Sequence, residues 1–268
     1  MTALLTNLFG TAKPVIAMMH AGALPGRPRH DRAQNKNLEP IRDALARDLD
    51  ALQRAGVDGL LFCNEADLPY RLQTGPETAA AMAALVGELK ARIHVPFGID
   101  IVWDPAASLA VARATGACFV REVFTGTYES DLGLMRPKEQ TQKQDIAVFA
   151  NITPEFASPL GHRSTQERAR SAAARGVDAL LITGPITGLP TSLDELQAAK
   201  HAVPGTPVLA STGVTTGTIS QTLNIADGAI VGTHLKYDGV TWNPVDPARA
   251  AAFMATAHHA RNEMPATK

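Results

Sequence analysis

Short apolar runs that break off in glycine or hydroxyl residues recur along this chain, and amphipathic stretches alternate with them. Lys13–His20 (K-P-V-I-A-M-M-H) is the first such run and reads as a strand. A Gly/Pro loop follows over Gly22–Asp31, and then Ile41, Leu45, Leu49 and Leu52 recur at helical spacing until Gly56 stops the helix. Asp58–Asn64 is a second strand. Pro76 opens a second helix, with Thr74 and Glu77 at capping-box spacing. Pro96–Val102 is a third strand, and Asp104-Pro105 supplies an N-cap and first-turn proline for a helix to Thr115. Cys118–Phe124 is a fourth strand. The polar stretch Thr125–Lys143, with Gly126, Gly133 and Pro137, is long enough to predict a lid or binding loop. Ile146–Asn151 and Asp178–Thr183 are the fifth and sixth strands. Ser164 with Glu167, and Ser192 with Glu195, start the helices that follow them. The last two strands lie within Pro207–Gly217 and Gly228–Lys236, and Asp246-Pro247 caps a closing helix.

An internal rhythm supports the count. A helix end, a small residue and a strand recur as A-G-V-D-G-L-L-F, T-G-A-C-F-V-R-E, R-G-V-D-A-L-L-I and N-I-A-D-G-A-I-V, which aligns Asp58, Cys118, Asp178 and Asp227. Short buried strands separated by helices predict a parallel sheet. Eight such units fit the 268 residues, so the expected fold is a single (β/α)8 barrel over residues 1–268. Its strands should begin near Val15, Gly59, Pro96, Cys118, Ile146, Ala179, Pro207 and Gly228. An open doubly wound sheet is the alternative, but no G-x-G-x-x-G follows strand one.

Composition narrows the function classes. The net charge of −1 and the aromatic content of 5% argue against nucleic acid, and the charge argues against an anionic membrane surface. No apolar run reaches the ~18 residues of a membrane span. The first residues lack a charged n-region and cleavage site, so no signal peptide is expected. Cys63 and Cys118 are spaced for neither a zinc site nor a disulfide framework, and a cytoplasmic setting is the default. No cofactor is expected, a divalent metal stays open, and a homo-oligomer is expected.

The candidate chemistry lies at the strand ends. Thr212-Gly213 and Gly232-Thr233 close the last two strands, and Gly184 opens the strand-six loop. Glycine lets a ligand approach backbone N–H groups, and such groups at a helix start favour an anion. In a (β/α)8 barrel these turns form the usual phosphate cradle; the plainer alternative is a set of tight turns. Side chains alternate along a strand, so parity with Gly228, Ile230 and Gly232 places Arg121 inward and Glu122 on the other face. An inward arginine needs an anion, either a ligand or an internal partner such as Asp100. His20, Asp100 and Asn151 also fall at or near strand ends, and His20 with Asp100 is the expected acid/base pair. Asp104 is explained by its capping position. Glu65 and Asp67, in the strand-two loop with Asn64 beside them, could offer carboxylates, with solvated loop charge the default reading. For Lys236, phosphate contact and solvation are both open. His30, His162, His258 and His259 form no metal pattern. No lysine falls at an inward strand position, which counts against a Schiff-base aldolase.

These residues resemble the BtpA/SgcQ family over about Lys13 to Met254. The resemblance rests on V-I-A-M-M-H-A-G-A-L-P-G (Val15–Gly26), Asn64 with Asp67-Leu68-Pro69, F-V-R (Phe119–Arg121) and L-I-T-G-P-I-T-G (Leu181–Gly188). It continues through T-G-V (Thr212–Val214), I-V-G-T-H-L-K-Y-D-G (Ile230–Gly239) and N-P-V-D (Asn243–Asp246). The resemblance implies a barrel of the ribulose-phosphate-binding type. It also associates the chain with photosystem I biogenesis in one branch of the family and sugar-utilisation gene sets in another. The family usually carries Ser-Gly where this chain has Thr212-Gly213, and Asn where it has Asp100. An Asp and a Lys-His pair stand where this chain reads N-I-T-P-E-F-A (Asn151–Ala157).

The expectation is a cytoplasmic enzyme acting on a small phosphorylated metabolite, a sugar phosphate, by epimerisation, isomerisation or retro-aldol chemistry, or by hydrolysis. Arg121 would stabilise an oxyanion or a second anionic group. The alternative is a non-catalytic assembly or regulatory protein that retains an anion-binding barrel.

Overall fold

The repeated aspartates explain how the strands find their register. Asp58, one residue before its own strand, accepts the N–H of Val15 at 2.7 Å. Asp178 accepts from Val148 at 2.9 Å, and Asp227 from Val208 at 2.8 Å. Each ties off a donor at the start of the neighbouring strand, a group that would otherwise lack a partner in the protein. Arg261 pairs with Asp58 and Lys200 with Asp227, so the helices brace the same carboxylates. Cys118 holds the equivalent place before strand four, with its thiol 3.4 Å from the Phe97 carbonyl.

The computed structural model describes residues 3–30, 37–136 and 145–263. The strands are β1 Val15–His20, β2 Gly59–Cys63, β3 Phe97–Asp100, β4 Phe119–Glu122, β5 Tyr128–Ser130, β6 Gly133–Met135, β7 Ala147–Asn151, β8 Ala157–Pro159, β9 Ala179–Ile182, β10 Val208–Ala210 and β11 Ala229–Val231. Eight of them close a parallel barrel in the order β1-β11-β10-β9-β7-β4-β3-β2. Pairing of Val15 with Ala229 and of Ile16 with Gly59 brings the first strand between the last and the second. The expected (β/α)8 barrel is therefore present, with each barrel strand beginning at the expected residue or one later.

The helices are α1 Ala3–Phe9, α2 Glu39–Ala55, α3 Pro76–Leu89, α4 Pro105–Thr115, α5 Thr165–Ala174, α6 Leu193–Ala202, α7 Ile219–Ile225 and α8 Pro247–Glu263. Among the described residues no α-helix joins β4 to β7. The predicted long loop is instead a hairpin, β5 and β6, whose strand β5 also pairs with β8. The part of that expectation covering residues 137–143 lies outside the described residues.

Local signals set most helix ends. Gly56 takes the left-handed conformation (φ 80°) that ends α2, and Ser164 with Glu167 makes the reciprocal capping box of α5. The box expected at Thr74 and Glu77 does not form. Gly75 caps α3, and Thr74 donates from its N–H and hydroxyl to Asp104 Oδ2 at 2.7 and 2.9 Å. Asp104 is buried and its other oxygen caps α4, so Thr74 completes the hydrogen bonding of that carboxylate.

Alternation along the strands makes two cores. Val15, Ala17, Met19, Leu60, Phe62 and Val120 face the helices. Ile16, Met18, Leu61, Phe119, Phe149 and Leu209 fill the barrel interior, joined by Leu5 and Phe9 of α1. Helix α1 thus plugs the N-terminal end. Phe119 and Phe149 stack at 4.8 Å, and Phe9 meets Phe119 edge-on at 5.5 Å. Gly98 and Gly59 make the room, since a Cβ at Gly98 would overlap the Phe119 ring and one at Gly59 would lie 2.7 Å from Phe9. No helix among the described residues is long and apolar enough to cross a membrane.

Candidate functional site

The interior changes character at the C-terminal strand ends. Two residues beyond Phe119 the same inward face carries Arg121, which is 8% exposed. Its guanidinium lies 3.3 Å from Asp100 at the end of β3 and donates to Glu155, after β7, at 2.7 Å. The internal partner considered for Arg121 is therefore present, together with a second one. Asn151 ends β7 beside them, its Oδ1 accepting from the Thr153 N–H at 3.1 Å.

Glu65 lies in the loop after β2 and is buried rather than solvated. The Thr187 hydroxyl donates to its Oε1 at 3.2 Å, and the Cys63 thiol is 3.6 Å from its Oε2. Burial pushes the Glu65 carboxyl up to about 7, with Glu155 adding to the rise and Arg121 opposing it. Asp100 is also raised, by burial first and against the pull of Arg121. Glu122 follows Arg121 on the opposite parity, yet its carboxyl lines the same cleft because the chain leaves the barrel at Val123, whose N–H it accepts at 2.8 Å. Burial, and then Asp100, push Glu122 well above the usual carboxylate range. The cleft is small, about 30 Å³, and its walls carry four carboxyls and one guanidinium. Tyr70, Trp103 and Phe156 form an aromatic wall beside them, with Tyr70 and Trp103 packed edge to face at 5.7 Å.

The other predicted residues separate into struts and turns. Asn64 accepts from the Val102 N–H at 2.9 Å and donates to Asp67 at 3.0 Å, and Asp67 accepts from Leu24 at 2.8 Å. These two buried side chains lock together the loops after β1 and β2 and the end of β3. Lys236 is buried rather than solvated. It is 2% exposed and donates to Asp48 at 2.8 Å, while Asp48 also accepts the Val245 N–H. His20 lines a neighbouring cavity with Lys236 rather than the carboxyl cleft. Burial, then Lys236 and Arg121, hold its imidazole well below the usual range, so the ring is neutral. A Cβ at Gly232 would stand 2.9 Å from the His20 ring, so this glycine makes room for His20.

The 184–190 loop lies across the last two turns. The Gly184 N–H donates to the Thr212 hydroxyl, and Cβ atoms at Gly184 or Gly213 (φ 63°) would run into the backbone of Leu189 and Pro190. Gly188 packs against Thr233, whose hydroxyl bonds Thr241 at 2.8 Å. The same loop reaches Glu65 through Thr187, and Pro185 accepts the Phe156 N–H at 2.8 Å. The glycines at 184, 213 and 232 thus each have a packing role within the protein. No group of three or more His, Cys, Asp and Glu side chains among the described residues is arranged to hold a metal ion.

Sequence reasoning passed over Glu122 and Glu155 and took solvated loop charge as the default for Glu65. Strand parity assigned Glu122 outward because it does not foresee where the strand ends. Glu155 sat unread within N-I-T-P-E-F-A, where Pro154 marked a sharp change of chain direction.

Solved structures share the architecture. A native KDPGal structure is 20% identical, with a TM-score of 0.57 and coverage of 94% of this chain and 96% of that one. A dihydropteroate synthase from Burkholderia cenocepacia is 14% identical with a TM-score of 0.59, covering 93% and 92%. A phosphoribosylanthranilate isomerase from Pyrococcus furiosus is 12% identical with a TM-score of 0.53, covering 92% and 99%. At these identities the likeness is one of fold. Sequence relatives are nearer. The sgc region protein SgcQ of Escherichia coli (strain K12) is 42% identical over 266 residues, covering 96% of this chain and 98% of that protein. The photosystem I biogenesis protein BtpA of Synechocystis is 31% identical over 261 residues, covering 93% and 90%. The model of the BtpA family matches residues 11–259, from before β1 to the last turns of α8, and the chain belongs to that family.

Proposed function

We propose that the protein is an enzyme that moves protons on a small sugar phosphate held in the barrel mouth. The observation that carries this reading is the Asp100–Arg121–Glu155 cluster at the C-terminal strand ends, with Glu65 at about 7 beside it. Such a carboxyl can take up and release a proton near neutral pH, as a general base requires. Arg121, held by two carboxylates, is oriented to meet an oxygen on which negative charge develops. The hydroxylated part of the ligand belongs here, because carboxylates accept hydrogen bonds from hydroxyls and the aromatic wall suits an apolar ring face. A phosphate does not, since carboxyls outnumber cations. Its place is the Thr212-Gly213 and Gly232-Thr233 side, where the small cavity beside Thr212 and Gly213 is lined by no acidic residue. Binding there requires the 184–190 loop to move. The acid/base assignment accordingly passes from His20 with Asp100 to the carboxyl cluster, with His20 a neutral neighbour. Isomerisation or epimerisation fits best, because both need proton transfer at a carbon next to a carbonyl or hydroxyl and neither needs a lysine.

The test is calorimetric titration with pentose and hexose phosphates and with their dephosphorylated parents, followed by deuterium incorporation from heavy water. Tighter binding of the phosphorylated form together with exchange at one carbon is expected. Equal affinity for the parents removes the phosphate from the reading, and binding without exchange removes the enzyme.

One observation favours a second reading, an assembly protein. Every exposed large hydrophobic residue among those described lies in the segments that follow barrel strands at the C-terminal face, including Leu134 of β6, Phe156, Ile186, Leu189 and Trp242. A partner that protects these loops from proteolysis in the absence of any small ligand would support it.

A further inference from the structure

We infer that Asp100 and Glu122 act as one carboxyl pair that holds a single proton between them, and that Glu122 is the member that carries it to the substrate. The inference rests on the acid–base reading above and deepens it by naming the proton donor.

The geometry around Glu122 is unusual in three respects. Its side chain belongs by alternation to the outer face of β4, yet its carboxyl lies in the cleft at 4% exposure. Its Oε2 accepts the Val123 N–H at 2.8 Å, and the backbone of Trp103 also bonds the carboxyl. Trp103 does so from the left-handed region, at φ 68°, which a tryptophan enters only when its surroundings compel it. Its Oε1 is buried and no donor among the described residues reaches it.

These facts locate a proton. Asp100 is within hydrogen-bond reach of the Glu122 carboxyl, and two ionised carboxylates have no hydrogen to share. One must be protonated for the contact to be attractive. Asp100 is the better anion, since Arg121 stands 3.3 Å from its Oδ2. In Glu122, the oxygen that already accepts a backbone N–H is the carbonyl-like one. The oxygen without a donor is therefore the hydroxyl, donating to Asp100. The other charged and titratable groups facing the pair are Cys63 and Glu65 on β2 and its loop, Arg121 on β4, and Glu155 after β7. Burial raises both carboxyls, and the contact between them raises Glu122 while lowering Asp100, which supports the same protonation state.

In the reaction, Glu65 as carboxylate takes the proton from the carbon beside the substrate carbonyl, and the C–H electron pair becomes the C=C bond of an enediol. The carbonyl oxygen takes the Glu122 proton as its charge develops. The pair is then doubly ionised, and Arg121 balances it until the proton returns. One proton has moved to Glu65 and one from Glu122, with no oxidant or metal required by the balance.

The experiment is carboxyl carbon NMR on the full chain with ¹³C-labelled Glu and Asp, with no ligand present. Glu122 is assigned by Glu122→Gln and Asp100 by Asp100→Asn. The expected result is a Glu122 carbon that keeps its protonated shift at pH 7, and an Asp100 midpoint that falls in Glu122→Gln, where the amide N–H replaces the shared proton. A Glu122 carbon at the ionised shift at pH 7 overturns the pair, whatever the protein's activity. The second arm follows deuterium incorporation into ribulose 5-phosphate and fructose 6-phosphate. Glu122→Gln is expected to lower kcat by about 100-fold with little change in KM, and Glu122→Asp to restore part of it. Wild-type turnover in Glu122→Gln overturns the donor role. If the wild type itself exchanges neither sugar phosphate, the acid–base reading and the donor role fall together, and the NMR arm still decides whether the pair exists.

Discussion

The two ends of the barrel are built from the same strands and behave as different materials. At the N-terminal end the inward positions are Ile16, Leu61, Phe119, Phe149 and Leu209, closed by Leu5 and Phe9 of α1. One inward step further along, the residues become Asp100, Arg121 and Asn151, with Glu65, Glu122 and Glu155 around them. The floor is held by packing, which needs no particular pH. The mouth buries ionisable groups that satisfy one another, so its energy depends on how many protons it holds. The difference gives one end packing and the other the ionisable groups on which the proposed chemistry rests, the end that carries active sites in this fold.

The largest expected effect separates the two materials directly. Phe119→Ala should cost about 3–5 kcal/mol by removing a ring that stacks on Phe149 and meets Phe9 edge-on, with the same loss at pH 5 and pH 8. Arg121→Met should cost a similar roughly 3–5 kcal/mol at pH 8, where it strands buried carboxylates, and much less at pH 5, where they can take up protons. Denaturant unfolding at both pH values checks the pair. A pH-independent loss in Arg121→Met would erase the distinction.

The wild type should itself become less stable as pH rises. Glu65 moves from an ordinary 4.5 to about 7 on folding, so between those values the folded state binds more protons than the unfolded state. The stabilisation is complete below pH 4.5 and is lost as pH rises through about 7, by roughly 3 kcal/mol if Glu65 acts alone. Asp100 slopes the same way. Glu65→Gln should flatten the curve, and an unchanged slope in that variant would mean Glu65 is not the group responsible.

The smallest effect concerns the loop over the mouth. Thr187→Val removes the hydroxyl that reaches Glu65 and should cost about 1 kcal/mol. That bond lowers the Glu65 carboxyl, so its loss should push Glu65 further up, and a carboxyl titration of the variant should show the upward move. Gly232→Asp is a poor probe of the phosphate side, because a side chain there would meet the His20 ring before any ligand.

How much of this was legible follows from the range of the forces involved. Hydrophobic alternation, the repeated aspartates and glycine helix stops are local, and they located all eight barrel strands to within a residue of their observed starts. Parity along β4 put Arg121 inside, because alternation persists while a strand lasts. It failed for Glu122, one residue later, because the point at which the chain leaves the barrel is set by neighbouring loops. The Thr74–Glu77 cap failed for a related reason. Local spacing permitted it, but a carboxylate thirty residues on, Asp104, needed the same donors.

The sequence by itself determined the periodicities, and therefore an eight-stranded barrel with an inward Arg121 and a set of glycine turns. Only the tertiary structure decided which groups are deprived of water and who stands beside them. Glu65 became a buried carboxyl raised to about 7 rather than a solvated charge, and Lys236 a buried partner of Asp48. Gly184 and Gly213 became seats for the 184–190 loop. Desolvation and Coulomb energy depend on distances in space between residues far apart in the chain. Side-chain period and turn preference depend only on near neighbours.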